Sequence, residues 1–502
     1  PIRNIDLSGL QNLKVIENEA FSGHQSREIN ISDLPNLQRI REKAFSSWKG
    51  DKELERVTMS NLPELSYIGD QTFVSSFTEK LSTITMENIP KLKKIPDYMF
   101  KPKGLKNLKL SGMESLVEIG TSAFGGDLKN KPSKWNSQFL GNDPKNNNNI
   151  GNLDLTGLPN LEIIGESAFA SGGVTSIKFP ENSKIKEIRN SAFITRSQLN
   201  GAERKISELD FTKLPELEFI GESAFFNQNI SRLDFSQNTK LKSIGEIIDG
   251  NNSNYRNNAG AFGRNPIEAL NFGDIDSLTK IGNSAFSNSS LSSVDMSKLS
   301  KLEEIGSSAF HDSTSLSNVD FPNPTESGLK YIHEEAFRNT NLSKVDLSNY
   351  PELISIGRSS FEQIMGLSQV KISNNPKLKT IEFKAFDGGH RKGNISKVNI
   401  ESNPSLTSIK SRAFSDNNIS ELTVSNNDSL ILVEDAVFRD NKLIEATFDN
   451  NPKLANMDQS AFTGNIGSKD YSNLVVVWSK PVDKTLLTSK GSYVVNPKLE
   501  DN

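Results

Sequence analysis

Residues 291–310, LSSVDMSKLSKLEEIGSSAF, contain one complete unit of the pattern that decides the fold. The first half, L-x-x-V-x-M, alternates apolar and polar residues around Asp295, which is typical of a short strand with one solvent-facing side. The second half, L-x-x-I-G-x-x-A-F, ends at Phe310. Its apolar residues stand at offsets that share one face of a helical turn. The unit therefore predicts a short strand followed by a single helical or 3-10 turn.

The same unit recurs along the whole chain. Its closing Phe occurs at seventeen positions, and the commonest spacing between neighbours is 24 residues. These are Phe21, Phe45, Phe73, Phe100, Phe124, Phe169, Phe193, Phe225, Phe262, Phe286, Phe310, Phe337, Phe361, Phe386, Phe414, Phe438 and Phe462. A period of this length indicates a solenoid whose coils pack on their neighbours. We predict a leucine-rich-repeat solenoid, mostly β with short helical or 3-10 turns, with a parallel concave sheet of about seventeen coils.

Composition agrees with thin, well-solvated coils. Only 34% of the 502 residues are hydrophobic, less than a compact globule of this size normally contains. The net charge is −4 and the pI about 5.9, without the clustered basic excess of a nucleic-acid-binding protein. No run approaches the ~18 apolar residues that cross a bilayer. There is no Cys, so disulfides and thiolate metal sites play no part.

Breaks in the period predict the domain organisation. We expect a solenoid over residues 1–464, with inserts at 125–149, 194–205 and 246–260, and a C-terminal cap and tail over 465–502. The stretch Asn-Leu-Val-Val-Val-Trp-Ser at 473–479 reads as a final strand. Because Pro1 leads directly into a repeat, we expect a mature or trimmed chain whose signal, anchor and N-terminal cap are absent.

The repeated L-x-x-I-G-x-x-A-F motif resembles the BspA-like family of leucine-rich repeats, also called the Treponema pallidum type. The resemblance covers residues 1 to about 464. In that family a Cys commonly follows a few residues after the Phe, whereas here the place holds Asn or Ser, as in Phe286-Ser287-Asn288. The resemblance implies a bacterial surface or secreted protein that binds host or microbial macromolecules, typically as an adhesin.

A column of aspartates forms the first candidate site. Asp295, Asp320 and Asp346 occupy the outward strand position of three consecutive coils, so their carboxylates are expected to stack about one strand spacing apart. Like charges so close repel, which favours a cationic partner or Ca²⁺. The alternative is an ordinary solvated face, screened by neighbours such as Arg232 and Lys344. Since one column makes no multi-oxygen cage, we predict no metal site.

The largest insert supplies the second candidate site. It contains Lys131, Lys134, Trp135 and Phe139 among many Asn residues. An aromatic side chain on such a loop is a candidate anchor for a partner. Alternatively, the loop folds back and buries both aromatic side chains against the scaffold.

Nothing in the sequence predicts catalysis or a cofactor. The four His residues lie in distant coils, and no nucleophile triad, zinc motif or phosphate-binding loop is present. The resemblance implies instead a binding module at the bacterial cell surface or outside the cell, an adhesin for a protein or glycan ligand, which we expect to be monomeric. We expect no nucleic-acid partner and no membrane insertion. The alternative function is a structural spacer that displays another domain.

Overall fold

The computed structural model describes residues 4–46, 54–74, 80–125, 148–195, 205–246, 260–458 and 460–465, and the backbone of 475–478 and 494–497. The chain divides into two units, Pro1–Pro266 and Ile267–Asn502. Each unit is a parallel β-solenoid, which confirms the predicted fold class. No helix of the described residues is both long and apolar enough to cross a membrane.

The first half of each coil supplies one strand to what we call the long-strand face, except in the coil that ends at Phe225, where a single bridge joins Ser176 and Glu208. Its alternating pattern buries every second side chain in the coil, as in Val57 and Met59, which are fully buried. In the first unit these strands are Asn4–Asp6, Glu28–Ser32, Arg56–Ser60, Thr83–Glu87, Asn107–Ser111, Gly151–Asp154, Val174–Lys178 and Arg232–Asp234. In the second they are Ala269–Asn271, Ser293–Asp295, Asn318–Asp320, Lys344–Ser348, Gln369–Ser373, Lys397–Glu401, Glu421–Ser425, Glu445–Phe448, Val475–Trp478 and Val494–Pro497.

The second half of each coil forms a short strand at its Ile or the equivalent apolar residue. These strands pair in parallel as one sheet of three strands and one of fourteen, which we together call the short-strand sheet. In the first unit the strands are Val15–Ile16, Arg39–Ile40, Tyr67–Ile68, Lys94–Ile95, Glu118–Ile119, Ile163–Ile164, Glu187–Ile188, Phe219–Gly221 and Ser243–Glu246. In the second they are Lys280–Ile281, Glu304–Ile305, Tyr331–Ile332, Ser355–Ile356, Thr380–Ile381, Ser408–Ile409, Leu432–Val433 and Asn456–Met457. The helical elements of the described residues are three 3-10 turns, Phe211–Lys213, Pro324–Glu326 and Gly389–Arg391.

The short strands replace the helical turn that the spacing predicted. The residue two positions before the Phe has a left-handed backbone, with φ of 57° at Ser308 and 50° at Ser359, which a continuing right-handed helix does not allow. The backbone hydrogen bonds alternate instead between turns within the coil and links to the next one. The N–H of Ala309 donates to the carbonyl of Gly306 in its own coil at 3.2 Å, and the N–H of Phe310 donates to the carbonyl of Ala336 one coil on, at 2.8 Å. Every coil therefore depends on its neighbour for hydrogen-bond partners of its backbone N–H and C=O groups.

The repeated Phe fills the middle of each coil. In the first unit the rings stack continuously from Phe21 to Phe262, with centroids 5.0–5.5 Å apart. In the second unit they stack from Phe286 to Phe462 at 5.0–5.7 Å. Within each unit the repeated Phe rings thus form a continuous ladder.

Buried asparagines form a second kind of ladder in the second unit. The backbone N–H groups of Asn375, Asn403 and Asn427 each donate to the side-chain Oδ1 of the Asn one coil on, at 3.0–3.1 Å, ending at Asn451. Three residues after the Phe, Asn417 also donates its Nδ2 to a carbonyl of the preceding coil, that of Phe386, at 2.8 Å. Amide side chains thus satisfy buried backbone groups at the turns.

Candidate functional site

The insert candidates lie outside the described residues. Lys131, Lys134, Trp135 and Phe139 all belong to the span 126–147, whose structure is not described. The alternative interpretations of that loop, partner anchor or buried flap, therefore both stay predictions.

The aspartate column is only partly brought together. Asp295 and Asp320 are direct partners across two parallel strands. Asp346 is half-buried and pairs in register with Lys371 of the following coil, while the Nζ of Lys344 lies 3.8 Å from its Oδ2. Lys344 therefore offsets part of the charge of Asp346 within its own strand.

Local turns account for most of the other outward aspartates. The backbone N–H of Ser297 donates to Oδ1 of Asp295 at 2.8 Å, and the N–H of Thr156 donates to Oδ1 of Asp154 at 3.0 Å. Hydrogen bonds from the Ser297 side chain and backbone lower the pKa of Asp295. This turn is recognisable in the sequence as Asp-x-Ser/Thr. It is the Asx turn, in which the aspartate side chain bonds its own backbone at the end of a strand, so that no ligand is needed to explain the carboxylate. Asp295 and Asp154 therefore stand at the ends of their strands, whereas Asp346 lies inside the strand Lys344–Ser348, and the column stays a candidate site.

The His residues are not assembled into a site. His311 Nδ1 lies 3.3 Å from a carboxylate oxygen of Asp312, and His333 Nε2 lies 3.4 Å from one of Glu304. Among the described residues, no group of three or more His, Asp or Glu side chains is placed to hold a metal ion.

A cavity that the sequence reasoning missed lies at the turns after Phe361, Phe386, Phe414 and Phe438. We call it the charged cavity. It encloses about 590 Å³. The charged side chains that line it include three carboxylates and four cations, which are Glu362, Asp416, Asp440, Lys384, Lys392, Arg412 and Arg439.

Ion pairs between coils organise its wall. The Nζ of Lys384 lies 3.3 Å from Glu362 and 3.4 Å from Asp387. Arg412 continues the chain of alternating charges, with its Nη2 3.3 Å from Asp387 and 3.1 Å from Asp416. These contacts fix the long side chains in one arrangement, because each cation holds two carboxylates.

Asp387 is the buried centre of that network. Its side chain is fully buried, and burial raises the pKa of its carboxyl, more than the Gly389 N–H and the nearby Arg412 and Lys384 charges lower it. Its Oδ1 accepts a hydrogen bond from the N–H of Gly389 at 2.8 Å. The carboxylate therefore connects the ion-pair network to the loop that follows.

That loop is the 3-10 turn Gly389–Arg391 and its neighbours, in a coil of 28 residues instead of the usual 24. Gly388 is required at its start, because a Cβ there would overlap the carbonyl oxygen of Asp416. His390, Arg391 and Lys392 follow as three exposed residues. The lengthened coil thus holds a short basic loop beside the cavity.

The sequence carried a signal for this site. The residue after the Phe is small or apolar in most coils, but it is Glu362 and Asp387 in two successive ones. A buried carboxylate needs a cationic or hydrogen-bonding partner. Two carboxylates at this buried position, next to a basic insertion, therefore indicate an internal charge network.

Comparison with known proteins extends this description. No match was found among curated proteins. Solved structures with similar folds include a leucine-rich repeat protein from Bacteroides ovatus, 16% identical, with a TM-score of 0.47 over 93% of this chain and 91% of that one. Another is the functional domain of InlJ from Listeria monocytogenes, which includes a cysteine ladder, at 16% identity and a TM-score of 0.39 over 74% of each chain.

The sequence pattern of the BspA-type leucine-rich repeat region matches residues 1–131, 162–259, 248–354, 279–403 and 330–469. These ranges cover most of the chain and include the coils that form the charged cavity. The chain belongs to the BspA-type leucine-rich repeat family.

Proposed function

We propose that the protein is a bacterial cell-surface or secreted binding module, an adhesin that recognises a protein or glycan on host or microbial surfaces. The charged cavity is the observation that carries this proposal. Repeat solenoids work by presenting extended binding surfaces, and this unit adds a concave site whose side chains are held in place before any ligand arrives. Such preorganisation lowers the entropic cost of binding.

A spacer is the second candidate, and the surface ion pairs favour it. Along the short-strand sheet, Lys186 pairs with Glu162 at 2.9 Å, and Lys330 pairs with Glu303 at 2.8 Å. Exposed pairs like these contribute little free energy of unfolding, but they leave a face that carries charges of both signs. A spacer needs no more than that.

The test is binding of the purified full chain to immobilised extracellular-matrix proteins and glycans. A second protein, in which residues 125–149 are replaced by a short Gly-Ser turn, tests the insert. Circular dichroism controls for folding of both. Saturable binding supports the adhesin, and its loss in the second protein assigns the site to the insert that contains Trp135. A folded chain that binds nothing contradicts the adhesin and favours the spacer.

We also propose that the module acts as a monomer without a cofactor or catalytic activity. Light scattering after size-exclusion chromatography tests the first point, and a dimer would contradict it.

A further inference from the structure

The lining of the charged cavity specifies the ligand more closely than the fold does. It contains charged and amide side chains, a glycine backbone and one imidazole, with no aliphatic side chain and no Phe, Tyr or Trp. Most small-molecule sites are lined mainly by apolar groups. A ligand that depends on burying an apolar group would therefore gain little free energy here, whereas one rich in hydroxyls would meet hydrogen-bond donors and acceptors on every side.

The charge balance favours an anion. Each lining carboxylate already has a cationic partner: Arg439 holds Asp440 at 2.8 Å, for example, and Arg412 holds Asp416. In the described part of the chain, Lys392 and the adjacent Arg391 form no ion pair. Lys392 therefore has charge and donors to offer a ligand, and guanidinium groups bind planar or tetrahedral oxyanions in fixed geometry.

The loop is also held in a defined position. Asp387 anchors it through the Gly389 N–H, and the side-chain Oδ1 of Asn417 lies against Gly393 at the end of the loop. Its cations are therefore presented from a fixed backbone. The volume of about 590 Å³ lies in the usual range for small-molecule sites, roughly 300–1,000 Å³.

We propose that the charged cavity binds an anionic saccharide, a sugar that carries a carboxylate or sulfate group. The oxyanion contacts Lys392 and the Arg391 side of the loop, and the hydroxyls contact the alternating charges of Lys384, Arg412 and Asp416. This inference rests on the proposed binding function and names the ligand class of one site.

The experiment is isothermal titration calorimetry of the full chain with four probes. These are trigalacturonic acid as the carboxylated sugar, a sulfated dextran oligosaccharide, neutral maltotriose, and a polyglutamate peptide as an anion without sugar hydroxyls. Binding of either anionic saccharide, with maltotriose and polyglutamate much weaker, is the expected result. The stronger of the two anionic saccharides identifies the oxyanion.

The site is tested with the double variant R391A/K392A. The matched control is K379A/K453A, which removes the same charge from exposed positions of the same unit that do not line the cavity. The cavity variant should lose at least about tenfold in affinity, because charge-assisted hydrogen bonds to an anion are lost. The affinity of the control should stay within about twofold of the natural chain, since it changes only the long-range electrostatic potential of the protein.

Five outcomes overturn the proposal. Equal binding of maltotriose removes the anionic requirement, and stronger binding of polyglutamate replaces the saccharide with an acidic peptide. Equal loss in both double variants shows nonspecific attraction. If the chain binds in the matrix and glycan panel but to none of the four probes, this proposal fails and the binding module stands. If it binds nothing in either experiment, both fail.

Discussion

Oδ1 of Asn403 accepts hydrogen bonds from both the backbone N–H and the side-chain amide of Asn375, each at 3.1 Å, and both residues are fully buried. The variant N403A leaves the buried N–H of Asn375 without an acceptor. We expect it to lower the free energy of unfolding by about 3 kcal/mol, measured by urea denaturation. N399A, at an outward-facing position of the neighbouring strand, should cost far less. Equal losses would contradict a special role for the buried ladder.

The Phe ladder predicts a graded response at Phe386, whose ring lies 5.0 Å from those of Phe361 and Phe414. F386A should lower the free energy of unfolding by about 3–5 kcal/mol, because it opens a cavity between two coils. F386L should cost less, since it refills much of that volume. The exposed Ile444 provides the control, and I444A should stay within about 0.5 kcal/mol. A loss from F386A as small as the control's would argue against close stacking.

The left-handed backbone at Ser308, where φ is 57°, predicts that this position prefers Gly to a β-branched residue. S308V should be clearly destabilising, because a β-branched side chain disfavours this conformation, whereas S308G should be neutral or better. Thermal unfolding followed by circular dichroism measures both. The reverse order would mean that the backbone there is not left-handed in solution.

The buried carboxyl of Asp387 predicts a pH dependence. Burial raises its pKa above the ordinary 3.8, so in the window between these two values the folded protein keeps a proton that the unfolded chain has lost. The free energy of unfolding therefore falls as the pH rises through that window. D387N should lack this slope, so its stability relative to the natural chain should improve from about pH 4 upwards.

Denaturant titrations at several pH values measure the difference between D387N and the natural chain. S415A is the control, because it alters the same neighbourhood without removing a titrating group, and it should follow the natural chain. Parallel curves for all three proteins would refute the raised pKa.

The Asx turn at Asp295 predicts that a hydrogen-bond acceptor of this shape matters more for stability than the negative charge of the carboxylate. D295N keeps an acceptor for the Ser297 N–H, whereas D295A loses it and should cost about 1 kcal/mol. Thermal unfolding at neutral pH compares the two. If D295N and D295A are equally destabilised, the negative charge of the carboxylate is the important property, which would support the column as a cation site.

The sequence predicted the repeat well because its determinants are local. The alternation around Asp295 and the Phe at each coil's end are visible within one unit, and the structure confirms the solenoid. The second strand was not predicted, because the acceptor of the Phe310 N–H lies one coil away. The left-handed backbone two residues before the Phe was not predicted either, because Ser308, Glu335 and Arg412 occupy this position rather than Gly or Asn.

The candidate site was harder to predict than the fold for a similar reason. Glu362, Asp387 and Arg412 come from three coils, and their association requires knowing which positions stack. Alignment of the coils on their Phe would have placed Glu362 and Asp387 in one column. The roles of Lys392 and Arg391 depend on where the four extra residues of their coil are inserted. The repeat period shows that the coil is longer but not where the extra residues lie.

The hydrogen bonds that join each coil to the next have a mechanical consequence. In the second unit a force that pulls its two ends apart acts on every ladder, but an end coil is held by a neighbour on one side only and is therefore the first to detach. We expect such a unit to peel one coil at a time at low force, each step releasing about 24 residues, roughly 80 Å of extended chain. Tethered between two surfaces, it would yield in small increments and rewind when the tension falls.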